Sequence, residues 1–264
     1  TSSGDQKKSR TIVGCMIQMV ELLEMKMIAE GVETVEQAEF LRNRGCPEMQ
    51  GYYFFKPMPV EEFEKQITDK TRAILICNPN NPTGYLYSKQ EMMQLRDLVK
   101  KYNLYLLSDE VYREFIYTKR PYISAFHLEG IEDNVVLIDS VSKRYSECGI
   151  RIGALITKNK TLRAAVMKFC QARLSPPLIG QIIAEASLDA PRQYSTDVYE
   201  EYIERRKCLV DGLNKIPGVY SPIPMGAFYT VARLPVDDTD DFCAWCLSDF
   251  EYEGETVMLA PASG

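Results

Sequence analysis

RAILICNPNNPTG, residues 72–84, decides the fold. Its first six residues, Arg72 aside, form a continuous apolar run, the pattern of a strand buried on both faces of a parallel sheet. The next seven read as a turn, because Pro79, Pro82 and Gly84 favour backbone dihedrals that turns use. Ser88 and Glu91 then stand at capping-box spacing and predict a helix to about Tyr102. LYLLS (104–108), NVVLID (134–139) and IGALIT (152–157) repeat the apolar run. Apolar strands alternating with helical stretches predict an α/β domain built on a parallel sheet. Helical patterns follow at 159–173 and 197–214, then two strands around a Pro–Gly turn in 219–234. A helix at 239–250 and a strand, TVMLA, at 256–260 complete this part of the chain.

Upstream the pattern is separate. Residues 11–25 have helical apolar spacing, MKMIAEGVE (25–33) reads as a short strand and loop, and TVEQAEFLRNRG (34–45) is a helix stopped by Gly45. MQGYYFFKP (49–57) reads as a second strand ended by Pro57, giving an αβαβ run. The polar stretch MPVEEFEKQITDK, 58–70, is the expected boundary.

Composition narrows the function classes. At about 150 residues per domain, 264 residues make one or two domains. The chain is 45% hydrophobic and 26% charged, an ordinary globular balance. A net charge of −6 argues against nucleic acid as a partner, since phosphate affinity needs a positive field. No apolar run approaches the roughly 20 residues a membrane helix needs, and the polar start TSSGDQKKSR is not a secretory signal. The eight scattered cysteines are read as reduced thiols of a cytoplasmic protein. No metal site is expected. His127 is the single histidine and reads as a surface or packing residue. Cys243 and Cys246 of CAWC lie three apart in a helical pattern, so with Phe242 and Leu247 they read as its apolar side.

Three polar residues each stand just past a strand or its turn: Asn81, Asp109 and Lys143, 28 and 34 residues apart. Ligands of open α/β sheets bind outside the carboxyl ends of the strands, so adjacent crossovers would bring these groups to one edge. Arg151 follows Lys143 by eight residues. Alone, each has a plainer reading as a turn residue, a cap or a solvated surface group. Together they suit one cofactor. A lysine amine can form a Schiff base with an aldehyde. A carboxylate such as Asp109 keeps a pyridine nitrogen protonated, which makes the ring an electron sink. Asn81 and Tyr112 can hydrogen-bond a phenolic oxygen. Ser140, Ser142 and Arg151 can hold a phosphate, the guanidinium in bidentate fashion. The cofactor so described is pyridoxal 5'-phosphate.

The motifs NPNNPTG (78–84), SDEVYREF (108–115), SVSK (140–143) with GIRIG (149–153), and GAFYTV (226–231) carry a resemblance. Residues 66–264 resemble the class I/II pyridoxal-phosphate aminotransferases of fold type I, most of all the bacterial aspartate-type and aromatic-type members. The resemblance implies a partial large, cofactor-binding domain over 66–190 and a partial small α+β domain over 191–264. It implies amino acid and 2-oxo acid substrates and a homodimer. It makes Lys143 the cofactor-bearing catalytic lysine and Asp109 the partner of the pyridine nitrogen. It makes Asn81 and Tyr112 the ring-oxygen ligands, and Ser140 and Arg151 phosphate ligands.

Residues 11–65, within a first segment 1–65, resemble instead the C-terminal quarter of EAL domains, the TIM-like-barrel phosphodiesterases of cyclic di-GMP. AEGVET (29–34), FLRNRGC (40–46) and QGYYFFKPM (50–58) carry that likeness, with Glu30 and Gln50 on catalytic-site positions. Two αβ units cannot close a barrel, which needs all strands at matched tilt and stagger. The chain therefore reads as a splice of two families, natural, artefactual or constructed. The family's N-terminal region has no counterpart in 1–65, and its α-carboxylate arginine falls beyond Gly264. The expectation is a truncated or chimeric aminotransferase of low activity and weakened dimer pairing. The alternatives are a non-catalytic cofactor-binding scaffold or a remnant phosphodiesterase.

Overall fold

The structure, a computed structural model, describes residues 3–23, 25, 27–29, 31–46, 48–49, 51, 53–54 and 58–261. The chain forms two compact units, Thr1–Gln66 with Val236–Gly264, and Ile67–Pro235.

The first unit begins with α1 (Ser3–Leu22), β1 (Ile28–Ala29), α2 (Val35–Asn43), β2 (Glu48–Met49) and α3 (Val60–Glu64), the αβαβ order expected. β1 and β2 pair in parallel, Ile28 opposite Glu48. Thr34 starts α2 with a two-way cap: Gln37 N–H donates to Thr34 Oγ1 at 3.3 Å, and Thr34 N–H donates to Gln37 Oε1 at 3.1 Å. Ile17, Val32, Ala38, Leu41 and Cys46 form a small apolar core. Glu30 and Gln50 lie outside the described residues.

The second unit holds a sheet of β3 (Ala73–Cys77), β4 (Tyr105–Asp109), β5 (Val135–Ser140) and β6 (Gly153–Ile156), in that spatial order. β3, β4 and β5 are parallel. α4 (Lys89–Tyr102) makes the first crossover and begins with the expected capping box. Ser88 N–H donates to Glu91 Oε2 at 2.7 Å, and Glu91 N–H to Ser88 Oγ at 3.3 Å. α4 turns Met92, Leu98 and Val99 inward, where Leu86, Leu106, Leu128 and Ile131 are also buried. The single turn α5 (Val141–Arg144) leads from β5 towards β6. Beyond β6 come α6 (Lys160–Arg173), α7 (Leu178–Ala186) and α8 (Arg192–Leu213), and in the first unit α9 (Thr239–Ser248).

Several expectations are corrected. β6 runs antiparallel to β5, Ser140 opposite Gly153, because the link over 141–152 folds back beside β5 rather than crossing over the sheet. The link from β4 to β5 holds short 3-10 turns and no α-helix. β3 is not buried on both faces: Ile74 and Ile76 are covered, but Leu75 between them is 69% exposed, as strand alternation dictates when one face is covered. Residues 219–234 form isolated bridges, including Tyr220 with Arg233, instead of two strands, and TVMLA is not a strand. α7, between Pro177 and Ala190, was not foreseen. On α9 Cys243 and Cys246 are buried as expected, whereas Leu247 is exposed. All eight cysteines are free thiols. His127 is exposed and its Nδ1 accepts from Ser124 N–H at 3.3 Å. Among the described residues no helix is long and apolar enough to cross a membrane.

Candidate active site

The carboxyl ends of β3, β4 and β5 share one edge. Cys77 is opposite Asp109 in register, and Asp109 is opposite Ile138. The turn after β3 carries Asn81, with cis peptide bonds before Pro79 and Pro82. Asp109 ends β4 and Tyr112 follows it. Ser140 ends β5, and its hydroxyl caps α5 by accepting from Ser142 N–H at 3.0 Å. Lys143 stands on α5, and Arg151 on the return to β6.

Seven expected residues, Asn81, Asp109, Tyr112, Ser140, Ser142, Lys143 and Arg151, line one cavity of about 400 Å³. That volume is within the range of roughly 300–1,000 Å³ usual for small-molecule sites. A hollow of about 480 Å³ at Thr68–Arg72 and Asn103 lies at the amino ends of β3 and β4, away from these groups.

Asn81 Nδ2 donates to Tyr112 Oη at 3.3 Å, so amide and phenol meet as a pair. Tyr112 is 4% exposed and donates to Tyr229 Oη at 3.0 Å. Burial, then the Tyr229 contact, pushes its phenol far up, so it stays protonated at any physiological pH. Asp109 Oδ1 accepts from Val111 N–H at 3.2 Å. Burial raises its carboxyl above the ordinary range, helped by the charges of Asp139 and Glu110 and opposed by the Val111 N–H and Lys143. Ser140 Oγ and Ser142 Oγ are 2.7 Å apart. Lys143 Nζ donates to Cys148 Sγ at 3.6 Å and lies 5.8 Å from the Tyr112 ring centroid and 5.9 Å from that of Phe228. Arg151 adopts φ 59° and ψ 44°, and its Nη1 donates to Cys148 O at 2.8 Å. Left-handed backbone disfavours a residue with a Cβ, so the chain holds an arginine here against its local preference.

The sequence reading missed Cys77, which lines the same cavity, as well as Tyr229, Phe228 and Cys148. The first three lie within stretches already quoted, RAILIC and GAFYTV, but nothing local ties Tyr229 to Tyr112 across 117 residues.

A family model for class I and II aminotransferases matches residues 53–252, and one for the EAL domain matches residues 1–57. An aspartate aminotransferase of Rhizobium meliloti is 31% identical over 206 residues, 73% of this chain and 50% of the relative. The putative aminotransferase YugH of Bacillus subtilis is 36% identical over 174 residues, 66% of this chain and 44% of the relative. The chain thus spans about half the length of these relatives. The structure is similar to that of an aspartate aminotransferase from Thermotoga maritima, with a TM-score of 0.66 and 29% identity over 84% of this chain and 58% of that one. The match runs through every strand and helix that builds the cavity, and on it the chain belongs to the class I and II aminotransferases.

Proposed function

We propose that this chain uses pyridoxal phosphate to move an amino group between an amino acid and a 2-oxo acid. The observation that carries the reading is the convergence of an amine, a carboxylate, a phenol, a carboxamide, two hydroxyls and a guanidinium on one cavity. Its aspartate aminotransferase relatives are pyridoxal-phosphate enzymes. The donor set suits that group. A carboxylate lifted by burial, as Asp109 is, gains from a cationic partner such as a protonated pyridine nitrogen. A phenol kept protonated beside an amide donor suits a phenolate oxygen. Arg151 has one N–H engaged on its own backbone turn and others free to fork onto a phosphate, beside the hydroxyls of Ser140 and Ser142.

When bound, the cofactor supplies an electron sink for charge developing at the α-carbon of the amino acid. Lys143 Nζ would hold the cofactor and, as the free amine once the substrate amine has taken its place, would move the α-proton. Asp109 keeps the ring nitrogen protonated, and Asn81 and Tyr112 orient the ring. Turnover by this chain is slow. Among the described residues Lys143 and Arg151 are the cations lining the cavity, and with Arg151 on the phosphate neither of these remains to fix a substrate α-carboxylate. The family supports a homodimer as the working unit, and the eight free thiols support a cytoplasmic setting.

Incubation with pyridoxal phosphate, borohydride reduction and peptide mapping tests the reading. The expected result is a pyridoxyl group on Lys143; modification spread over surface lysines with Lys143 untouched overturns it. Excess aspartate, glutamate or an aromatic amino acid then measures single-turnover conversion of the cofactor to its amine form. A rate near that of a full-length relative would refute slow turnover.

A further inference from the structure

We infer that Asp139, gripped by Arg113 and Arg144, is a positioning residue for the Lys143 amine, an inference that rests on Lys143 being the cofactor-bearing group. Asp139 Oδ2 accepts from Arg113 Nη2 at 2.7 Å and from Arg144 Nη2 at 3.1 Å, and its Oδ1 accepts from Ser140 N–H at 2.9 Å. Glu114 closes the ring: its Oε1 is 3.1 Å from Arg144 Nε and 3.9 Å from Arg113 Nε. Two guanidiniums and two carboxylates thus form a neutral cluster, with the Asp139 side chain 14% exposed.

Each of three members is the chain neighbour of a residue lining the cavity. Arg113 follows Tyr112, Arg144 follows Lys143, and Asp139 precedes Ser140. The cluster therefore grips from behind the backbone whose front faces the cavity. Lys143 needs such a grip. α5 is a single turn, and one turn does not repay the entropy of fixing its dihedrals. The amine itself is held by a 3.6 Å contact to Cys148 and by ring faces. Arg144 ties α5 to β5 through Asp139, and Asp139 ties both to the segment after β4 through Arg113.

Removing the Asp139 carboxylate takes away the acceptor that Arg113 and Arg144 share and frees α5 from β5. Removing Arg113 frees only the segment after β4 and leaves α5 tied.

The test uses the full chain without cofactor. Lysines are trace-labelled with acetic anhydride between pH 7 and 10 and the rate at each lysine is read by peptide mass spectrometry. In Asp139→Asn, labelling of Lys143 at pH 8 rises towards the rates of Lys160 and Lys207, which are themselves unchanged. In Arg113→Gln, which leaves the Asp139–Arg144 tie in place, labelling of Lys143 stays near the wild-type rate. A rise confined to Lys143 and to the variant that cuts the tie supports the inference. An unchanged Lys143 rate in Asp139→Asn, or a rise shared by Lys160 and Lys207, overturns it. If Asp139→Asn does not fold, Arg144→Gln cuts the same tie and is read in the same way. Failure of pyridoxal phosphate to label wild-type Lys143 would instead overturn the proposed function, with the amine rates still readable.

Discussion

Glu110 is a fully buried carboxylate whose replacement should separate hydrogen bonding from charge. Its Oε1 accepts from Ser108 Oγ at 3.0 Å, Ser124 Oγ at 3.0 Å and Ala125 N–H at 2.8 Å, while Oε2 has no partner. Glu110→Ala removes that acceptor. Ser124 can turn its hydroxyl, but Ser108 and the amide of Ala125 are buried and stay unpaired. A buried unpaired donor costs about 1–3 kcal/mol, so the variant should lose about 3–5 kcal/mol with the cavity included. That is a large share of the 5–15 kcal/mol typical of a domain. Glu110→Gln keeps an oxygen for all three donors and puts its NH₂ where Oε2 already lacked a partner, so it should lose only about 1–2 kcal/mol. Urea unfolding of both variants, followed by far-UV circular dichroism, measures the difference. An alanine variant within about 1 kcal/mol of wild type, or a glutamine variant as unstable as alanine, would refute the assignment of Oε1 as the shared acceptor.

Asp109→Asn keeps the acceptor for Val111 N–H and removes the charge. Because the folded-state carboxyl is raised, the folded chain binds this proton more tightly than the unfolded chain, and wild-type stability falls as pH climbs from about 4 through the raised value. The variant should show a flatter dependence over that window in denaturant titrations; a steeper one contradicts the burial argument. Ser88→Ala deletes one arm of the α4 capping box and should cost about 1 kcal/mol by chemical denaturation, with no change meaning that the arm from Glu91 suffices. Gly226→Ala would put a Cβ 2.6 Å from Pro79 Cβ and 2.9 Å from Phe115 O, neither of which yields easily. It should lower stability by about 1–3 kcal/mol, read as a lower melting temperature, and an unaltered melting curve would mean that the NPNNPTG turn shifts freely.

The sheet was legible where the sequence carries its own physics. RAILIC, LYLLS and NVVLID are apolar because β3, β4 and β5 lie against a core, and the Ser88–Glu91 spacing marks the start of α4. The candidate residues were legible because each follows a strand closely, so strand order alone brings them to one edge. Direction was not: the antiparallel sense of β6 depends on the conformation of 141–152, which its composition does not announce. Nor was the open face of β3, since Leu75 looks the same in sequence whether or not something covers it. The grouping of Arg113 and Arg144 on Asp139 escaped for a similar reason. Charges 26 and 5 residues away from a carboxylate obey no helix or strand period, and only the folded sheet brings them together.

The antiparallel pairing of β5 with β6 makes residues 141–152 a loop closed at its base by Ser140 and Gly153, with Lys143 near one end and Arg151 near the other. Doubling the length of such a loop adds only about 0.6 kcal/mol of closure entropy. Insertions midway, around Ser146 or Glu147, would therefore leave abundance and protease resistance almost untouched while dislocating the amine from the guanidinium. Selection for well-folded protein is blind to such changes. A library randomised in length across this loop, sorted first for expression and then for cofactor capture, should lose few members at the first step and most at the second.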